Sequence, residues 1–330
     1  MNVNGMRVFL TGATGFVGGA LAKALVQQGA EIHALARPGA DRSSLNSLAI
    51  TWHEGDITDS RSLHGAMAHA DCVVHAAGKL GQAGVPEQVY RRVHVEGTRN
   101  VMAAALASRT GPLVLHVSSP GVLGPIVDGP ASEEAPYRPS NSYERTKAAA
   151  EQTVHEFAAQ GLRVVIARPE FIYGPGDRHV LRLFHSVRNR RFFYIDSGRH
   201  LCHPTFIEDG VRGMLLCLHH GKPGGVYHIA GPRPITFREL VATIAASLGV
   251  TPPALSLPRW FARGGVFGLE AVSRVTGRTP PLSRTGLAFF SEDRQFSWKK
   301  ANTELGYTPE FDFARGTACT VAWYRKHQWL

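Results

Sequence analysis

The chain alternates short, uniformly apolar runs with longer stretches in which apolar residues recur every three or four positions. Short apolar runs bounded by glycine or polar residues are typical of buried parallel strands, and the longer pattern is typical of amphipathic helices. The runs predict strands at residues 7–10, 31–36, 50–55, 71–78 and 113–118, and helices at residues 20–26, 60–67, 90–107 and 143–160. This order indicates an α/β protein with a doubly wound parallel sheet.

The turn after the first predicted strand contains three regularly spaced glycines, Gly12, Gly15 and Gly18. In a strand–turn–helix unit, such glycines allow a tight turn, close approach of a pyrophosphate to the backbone, and close packing of helix on strand. The N–H groups that open the helix, around Thr14, Phe16 and Val17, would hold the anion. The motif predicts a dinucleotide-binding Rossmann domain, against the alternative of a plain glycine-rich turn.

A late apolar run at residues 227–230 is expected to return to the main sheet. The domains then interleave along the chain. Residues 1–174 and 201–231 would form the dinucleotide-binding domain, and residues 175–200 and 232–330 a smaller, largely C-terminal substrate-binding domain.

The end of the second predicted strand favours NADP(H) over NAD. An NAD site usually has a carboxylate there that binds the adenosine ribose. Here the strand ends in Ala36 and Arg37, with Arg42 nearby. A guanidinium can bind a 2′-phosphate through two hydrogen bonds, whereas a carboxylate would repel it. NADP is the predicted cofactor and NAD the alternative; a plain surface role for Arg37 is the competing interpretation.

Two further strand ends supply candidate cofactor contacts. Asp56 and Ile57 follow the third strand, where a carboxylate could accept a hydrogen bond from the adenine amino group; Asp56 and Asp59 could equally cap the next helix. The fourth strand ends in small residues, Ala76, Ala77 and Gly78, which leave room for a ligand.

Composition argues against several other functions. The 330 residues are 44% hydrophobic and 19% charged, and no apolar run reaches the ~18 residues of a membrane span. The net charge of +10 comes from dispersed Lys and Arg without a nucleic-acid-binding motif, so nucleic acid is not a predicted partner. The cysteines form no CxxC pair, and His200, Cys202 and His203 lack a second half-site with zinc-like spacing. We therefore expect a cytoplasmic protein without a metal site.

The helix predicted at residues 143–160 carries Tyr143 and Lys147 four positions apart, and therefore on one face. Ser119 follows the fifth strand, at the carboxyl edge where the other ligand candidates lie. An ordinary amphipathic helix face is the alternative interpretation of the Tyr/Lys spacing.

This ordered set of motifs resembles the short-chain dehydrogenase/reductase superfamily, and in particular its extended branch, the NAD(P)-dependent epimerase/dehydratase-like proteins. The resemblance covers nearly the whole chain: GxxGxxG at 12–18, YxxxK at 143–147, RPEFIYGPGD at 168–177, PTFIED at 204–209 and ELGYTP at 304–309. It implies a catalytic Ser119–Tyr143–Lys147 site, with Ser119 rather than Ser118 in the family position. It also implies cofactor contacts from Lys147 and Pro169, and a homodimer joined through two helices.

The implied site has a physical rationale. A free tyrosine has a pKa of ~10 and is a poor base at neutral pH. A positive charge at about 4 Å, with an effective dielectric constant near 20, supplies on the order of 4 kcal/mol, or roughly three pKa units. Lys147, helped by an oxidised nicotinamide, is therefore expected to lower the pKa of Tyr143, while Ser119 orients the reacting oxygen.

Departures from the family motifs favour ketone/alcohol exchange. Dehydratases of the group carry an acidic pair after the serine, where this chain has Pro120 and Gly121. Nucleotide-sugar members carry a diphosphate-binding arginine near the position of Cys202, where only Arg199 could substitute. A nucleotide-sugar epimerase with tightly bound NAD is therefore the second hypothesis, and a non-catalytic NADP-binding regulatory protein the third.

The C-terminal segments at residues 257–260 and 276–284 resemble 3β-hydroxysteroid dehydrogenase-like and dihydroflavonol-reductase-like proteins. This resemblance implies a lipophilic substrate that is steroid-like or carries an acyl chain. The mixed apolar and basic residues from Phe261 to Arg278 form either the core of a small lid or a surface in peripheral contact with a membrane.

Overall fold

Parallel strands form the centre of the molecule. They are β1 (Arg7–Thr11), β2 (Glu31–Ala36), β3 (Ile50–Glu54), β4 (Cys72–His75), β5 (Leu113–Val117), β6 (Val164–Pro169) and β7 (Val226–Ile229). In the computed structural model, which describes residues 2–82, 84–266 and 284–330, these seven strands form one parallel sheet in the order β7-β6-β5-β4-β1-β2-β3. The predicted α/β class and doubly wound sheet are confirmed.

Helices cover both faces of this sheet. They are α1 (Phe16–Gln27), then Arg61–Met67, Glu87–Arg91, the π-helical Arg92–Glu96, Gly97–Leu106, Ser142–Ala159, Arg178–Arg188, Ile207–His220, Phe237–Leu248, Arg284–Ser291, Lys299–Leu305 and Phe313–Lys326, with a further helical stretch at 259–266. None of the described helices is long and apolar enough to cross a bilayer.

The core lies in two layers, one on each face of the sheet. Neighbouring residues of β1 point to opposite layers: Leu10 packs with α1 residues such as Leu21, and Phe9 packs with Val101 and Val154 on the other side. Because both faces are buried, the strands are near-continuous apolar runs rather than alternating ones. This explains why their positions can be predicted from the sequence.

The strand ends show where prediction and structure differ. β2 has the predicted bounds, whereas β4 ends at His75, before the predicted residue 78. The reason is that the N–H of Ala77 donates to the side-chain hydroxyl of Thr11, at the end of β1, at 3.2 Å, instead of to a backbone carbonyl of that strand. The helix after β3 begins at Arg61. The backbone N–H of Arg61 donates to the Asp59 carboxylate at 3.1 Å, so this carboxylate caps the helix.

Shorter strand pairs lie outside the central sheet. They are Ile172–Tyr173 with Thr205–Phe206, Leu201–Cys202 with Ile235–Thr236, and Tyr194–Ile195 with Ser256–Leu257. β7 brings the late part of the chain back to the sheet beside β6, as predicted. The proposed division into two interleaved domains stays a prediction.

The segment predicted as a lid or membrane-contact surface is only partly described, because residues 267–283 lie outside the described ranges. In the described part, Val266 is buried with Ile195 and Leu287, as a lid core requires. Trp260 and Phe261, in contrast, are 74% and 54% exposed. Membrane contact therefore stays a prediction.

Candidate active site

The glycine turn brings β1 close to the end of β4. Gly12 has a φ of +82°, and a Cβ there would lie 2.6 Å from the backbone nitrogen of Ala77. A Cβ on Gly18 would lie 2.1 Å from the carbonyl oxygen of Gly12, so α1 packs directly on the turn. Only glycine fits either position without a shift of the backbone.

The first turn of α1 is suited to an anion. Its N-cap is Gly15, which supplies no side-chain cap, and the first turn contains no acidic residue. The first N–H groups of a helix have no partner within the helix and carry a partial positive charge. Thr14 and Gly15 are exposed at this point, and Phe16 and Val17 begin the helix. The turn therefore fits a dinucleotide pyrophosphate, as the glycine motif predicts.

The predicted adenosine contacts follow β2 and β3 at the same edge of the sheet. Arg37 is exposed immediately after β2, and no other described residue forms a hydrogen bond or ion pair with its side chain. Arg42 instead stacks on Trp52, with Cζ 4.9 Å from the ring centroid. One oxygen of Asp56 accepts from the N–H two residues later at 2.8 Å, and Ile57 is buried against the helix Gly97–Leu106. Arg37 is thus the less engaged of the two arginines, and its contact with a 2′-phosphate stays a prediction.

The order of the strands in the sheet reverses between β1 and β4, and the small residues after β4 line this point. Ala76 and Ala77 are partly buried, and Gly78 is exposed. Parallel α/β sheets bind ligands where the strand order reverses, outside the carboxyl ends of the strands. Pro169, the last residue of β6, ends at the same edge.

Tyr143 and Ser119 approach each other at this edge. Tyr143 lies in the first turn of the helix Ser142–Ala159, which Asn141 caps by accepting from a backbone N–H at 3.1 Å. Ser119 follows β5, and its hydroxyl accepts from the N–H of Gly121 at 3.1 Å. The Ser119 hydroxyl is close enough to Tyr143 to act to lower the pKa of the tyrosine. The alternative, Ser118, is buried, and its hydroxyl has no partner in the described structure.

Lys147 is buried and is bound to the end of β5. Its side chain is 7% exposed, and Nζ donates to the carbonyl oxygen of Val117 at 3.0 Å. Burial lowers the pKa of Lys147 to about 8, although the negative charge of Glu151 opposes the shift. The ammonium is therefore positioned by the end of β5 and titrates close to neutral pH.

The expected lowering of the tyrosine pKa is not found in the protein itself. Burial raises the pKa of Tyr143 to about 12, and the negative charge of Glu170 adds to this increase. The ammonium of Lys147 is bound to Val117 and is not among the main influences on Tyr143. The sequence-based prediction includes the positive charge of an oxidised nicotinamide, so it stays a prediction for the cofactor-bound enzyme. A low tyrosine pKa would need a further positive charge in the site.

Aromatic rings surround Tyr143 on the side of the helix Glu87–Arg91 and the π-helical segment that follows it. Its ring makes edge contacts with His94 at 5.5 Å and with Tyr90 at 6.2 Å between centroids. Single π-helical turns occur often at functional sites. The sequence predicts one continuous helix here and contains no signal for the π-helical turn.

Charged residues near Ser119 were also missed by sequence analysis. Arg294 is 6% exposed and forms an ion pair with the buried Glu144 at 2.7 Å. Glu170, which follows β6, is 5% exposed. Its position directly after β6 is only a weak sequence signal for a site residue. The charged residues Arg294 and Glu144 come from distant parts of the chain, so the sequence does not show that they lie near it.

Comparisons with known proteins identify the family of the chain. The family model described as NAD dependent epimerase/dehydratase family matches residues 8–230. A 4-hydroxy-2-methyl-3-oxo-4-farnesyl-3,4-dihydroquinoline-1-oxide ketoreductase of Stigmatella aurantiaca is 31% identical over 317 residues, covering 94% of both chains. A 2-alkyl-3-oxoalkanoate reductase of Stenotrophomonas maltophilia is 30% identical over 325 residues, covering 94% of this chain and 97% of the relative.

A solved structure gives the same fold. The dTDP-glucose 4,6-dehydratase DesIV of Streptomyces venezuelae, determined with NAD and TYD bound, superposes with a TM-score of 0.81 at 25% identity and covers 98% of each chain. The motifs, the sheet and these relatives lead to one assignment. The chain belongs to the NAD-dependent epimerase/dehydratase family, the extended short-chain dehydrogenase/reductases, and is an NAD(P)-dependent enzyme.

Proposed function

We propose that this protein is an NADP(H)-dependent oxidoreductase that interconverts a ketone and a secondary alcohol on a lipophilic substrate. The observation that carries the proposal is the proximity of Ser119 to Tyr143 at the carboxyl edge of the sheet, with Lys147 anchored to the carbonyl oxygen of Val117 at the end of β5. The carboxyl ends of the strands thus present both a turn that can bind the cofactor pyrophosphate and two hydroxyl groups that can bind a carbonyl oxygen.

Each residue has a defined task in this scheme. A bound reduced nicotinamide would supply the hydride that a carbonyl carbon accepts. Tyr143 donates its hydroxyl proton to the carbonyl oxygen, since a tyrosine with a raised pKa is protonated at neutral pH. Ser119 donates a hydrogen bond to the same oxygen and fixes its position. Lys147 holds the region positive and binds the cofactor ribose.

The preference for NADP(H) rests on Arg37. Its guanidinium is exposed after β2 and is not engaged by another described residue. The last residue of β2 is Ala36, so no carboxylate competes for a 2′-phosphate at that position. A guanidinium and a phosphate form a strong charge-assisted pair.

Two relatives support a ketone substrate with an apolar part. One is named as a ketoreductase of a farnesyl-bearing dihydroquinoline oxide and the other as a reductase of 2-alkyl-3-oxoalkanoates. Dehydration is disfavoured, because Pro120 and Gly121 occupy a 3₁₀ turn after Ser119 and carry no acid. The two relatives differ in the polar group beside the ketone.

The proposal is tested by titrating the protein with NADPH and NADH, using tryptophan fluorescence, and then following nicotinamide absorbance with long-chain ketones and, separately, with UDP-sugars. Tighter NADPH binding and net NADPH oxidation by a ketone support it, with Tyr143→Phe as the inactive control. Isomerisation of a UDP-sugar without net cofactor consumption would instead identify an epimerase. NADPH binding without turnover on either panel would favour a non-catalytic binder.

A further inference from the structure

Glu170 has an unfilled hydrogen-bonding requirement at the candidate site. Its backbone N–H donates to the carbonyl oxygen of Ile229 at 3.0 Å, which fixes the residue between the ends of β6 and β7. The side chain is 5% exposed, yet among the described residues none donates a hydrogen bond to its carboxyl group. Buried polar groups nearly always have a partner, and leaving one without is unfavourable. A partner for this carboxyl is therefore expected from outside the described residues, either from water or from a bound ligand.

The sheet places this carboxyl beside the reacting groups. β5 and β6 are parallel neighbours, and the N–H of Ser118 donates to the carbonyl oxygen of Ala167 at 2.8 Å. The residues that follow the two strands, Ser119 and Glu170, thus leave the sheet at the same edge. Glu170 is also close enough to Tyr143 for its charge to influence the tyrosine. Glu170 therefore lies at the sheet edge where, in the proposed reaction, Ser119 and Tyr143 bind the ketone.

A buried ionic cluster adjoins Ser119. A Cβ built on Gly121 would lie 3.2 Å from Ser119 Oγ, 3.4 Å from Glu144 Cγ and 3.7 Å from Arg294 Nη1, so these groups share one small volume. Arg294 pairs with Glu144 at 2.7 Å and with Glu292 at 3.3 Å.

The cluster is rich in acid. Arg259 lies 3.4 Å from Glu292, so three glutamates, including Glu170, face two guanidinium groups that already have carboxylate partners. A carboxylate on a substrate would enter next to like charges. Both arginines of the cluster already pair with carboxylates through their Nη atoms, which leaves the Nε–H groups of Arg259 and Arg294 without a partner among the described residues.

We propose that Glu170 is a substrate-recognition residue that hydrogen-bonds a neutral polar group, such as an amide, hydroxyl or second carbonyl, next to the reacting ketone. In the same proposal, the acid-rich cluster rejects substrates that carry a carboxylate at that position. The inference rests on the proposed ketone-reductase function and deepens it by naming the polar class of the substrate.

The protonation behaviour of Glu170 suits this task. Burial raises its pKa to about 7; the charge of Arg294 opposes this shift and the charge of Glu144 adds to it. The other titratable groups close enough to feel the charge of Glu170 are Tyr143 and Cys202. A protonated carboxyl both donates and accepts a hydrogen bond, which matches an amide or a hydroxyl. A substrate carboxylate could be accommodated only by protonating one of the two acids.

The test uses three ketones of equal chain length: 3-oxododecanamide, 3-oxododecanoate and dodecan-3-one. The variants are Glu170→Leu, which removes the hydrogen-bonding group, and Glu170→Gln, which keeps a donor and an acceptor. Glu156→Gln is the matched control, because this half-exposed glutamate lies about 20 Å further along the helix that carries Tyr143. NADPH titrations and thermal unfolding check that each variant is folded and binds cofactor.

The wild type is expected to favour the amide over the carboxylate by at least about tenfold in kcat/KM. Glu170→Leu should lose on the order of 10- to 100-fold on the amide, mainly in KM, and stay close to wild type on dodecan-3-one. Glu170→Gln should recover most of the amide activity, and Glu156→Gln all of it. A general structural role would not separate the amide from the simple ketone.

Other outcomes would overturn the inference. Equal losses on the amide and on dodecan-3-one would make Glu170 a structural residue, and wild-type turnover of the carboxylate at the rate of the amide would remove the predicted rejection. Either result leaves the ketone-reductase proposal standing. If the wild type oxidises NADPH with no ketone of the panel, the reductase proposal fails, and the inference that rests on it falls with it.

Discussion

Substituting Glu170 by glutamine should change how the stability of the protein depends on pH. Burial raises the pKa of this carboxyl from 4.5 to about 7 in the folded protein. Between those pH values the folded state binds more protons at this position than the unfolded state does. The free energy of unfolding of the wild type therefore falls as the pH rises through this window, and glutamine, which does not titrate, removes this contribution.

The magnitude follows from the two pKa values. Moving a pKa from 4.5 to about 7 corresponds to about 3 kcal/mol once the pH exceeds both values. At pH 5 the carboxyl is already largely ionised in the unfolded state, so part of the loss of wild-type stability has occurred before the range from pH 5 to pH 8 begins. The difference in free energy of unfolding between Glu170→Gln and wild type is thus expected to grow by about 2–3 kcal/mol in favour of the variant.

Urea unfolding at pH 5, 6, 7 and 8, followed by tryptophan fluorescence, measures this difference directly. Other titrating groups, such as Asp177, are common to both proteins and cancel in the comparison. Glu156→Gln should follow the wild type across the series, because its side chain is half exposed. A wild-type-to-variant difference that stays constant within about 0.5 kcal/mol would refute the burial of Glu170 as an ionisable group.

Further predictions concern catalysis, cofactor choice and the buried core. Tyr143→Phe should lower kcat by on the order of 10²- to 10⁴-fold with NADPH affinity retained, measured by nicotinamide absorbance and fluorescence titration. Arg37→Asp should reduce the ratio of NADPH to NADH affinity by at least about tenfold; an unchanged ratio would remove Arg37 from the cofactor site. Arg168→Met should destabilise the fold by about 3–5 kcal/mol in urea, because it leaves the fully buried Glu151 without its 2.7 Å partner, and the double variant Arg168→Met/Glu151→Leu should recover much of this loss.

Local sequence information was sufficient for the sheet and the glycine turn. β2 could be placed to the residue because its apolar run lies between Gly29 and Arg37. Gly12 and Gly18 could be assigned because their spacing reflects two contacts that only glycine permits, both between residues close in sequence or on adjacent strands. Such features depend on periodicity and steric limits, which a sequence displays.

The charged part of the site could not be predicted in the same way. Glu170 follows a strand end, where a carboxylate is normally solvated, and its pKa depends on burial and on the charges of Arg294 and Glu144 from separate parts of the chain. The raised pKa of Tyr143 in the protein without cofactor could not be predicted for the same reason, since burial and the charge of Glu170 are tertiary effects. A motif identifies which groups are present but carries no information about desolvation.

These tertiary effects also bear on whether the protein is an enzyme or a passive cofactor binder. Burial lowers the pKa of Lys147 to about 8 and raises that of Glu170 to about 7, and each shift weakens the folded state at neutral pH. Binding of a dinucleotide requires the glycine turn and the start of α1, but neither Glu170 nor the hydroxyl of Tyr143. Groups that destabilise a fold persist where they serve recognition or chemistry. Glu170, which has no part in holding the cofactor, therefore favours a site that recognises a substrate over one that only binds NADP.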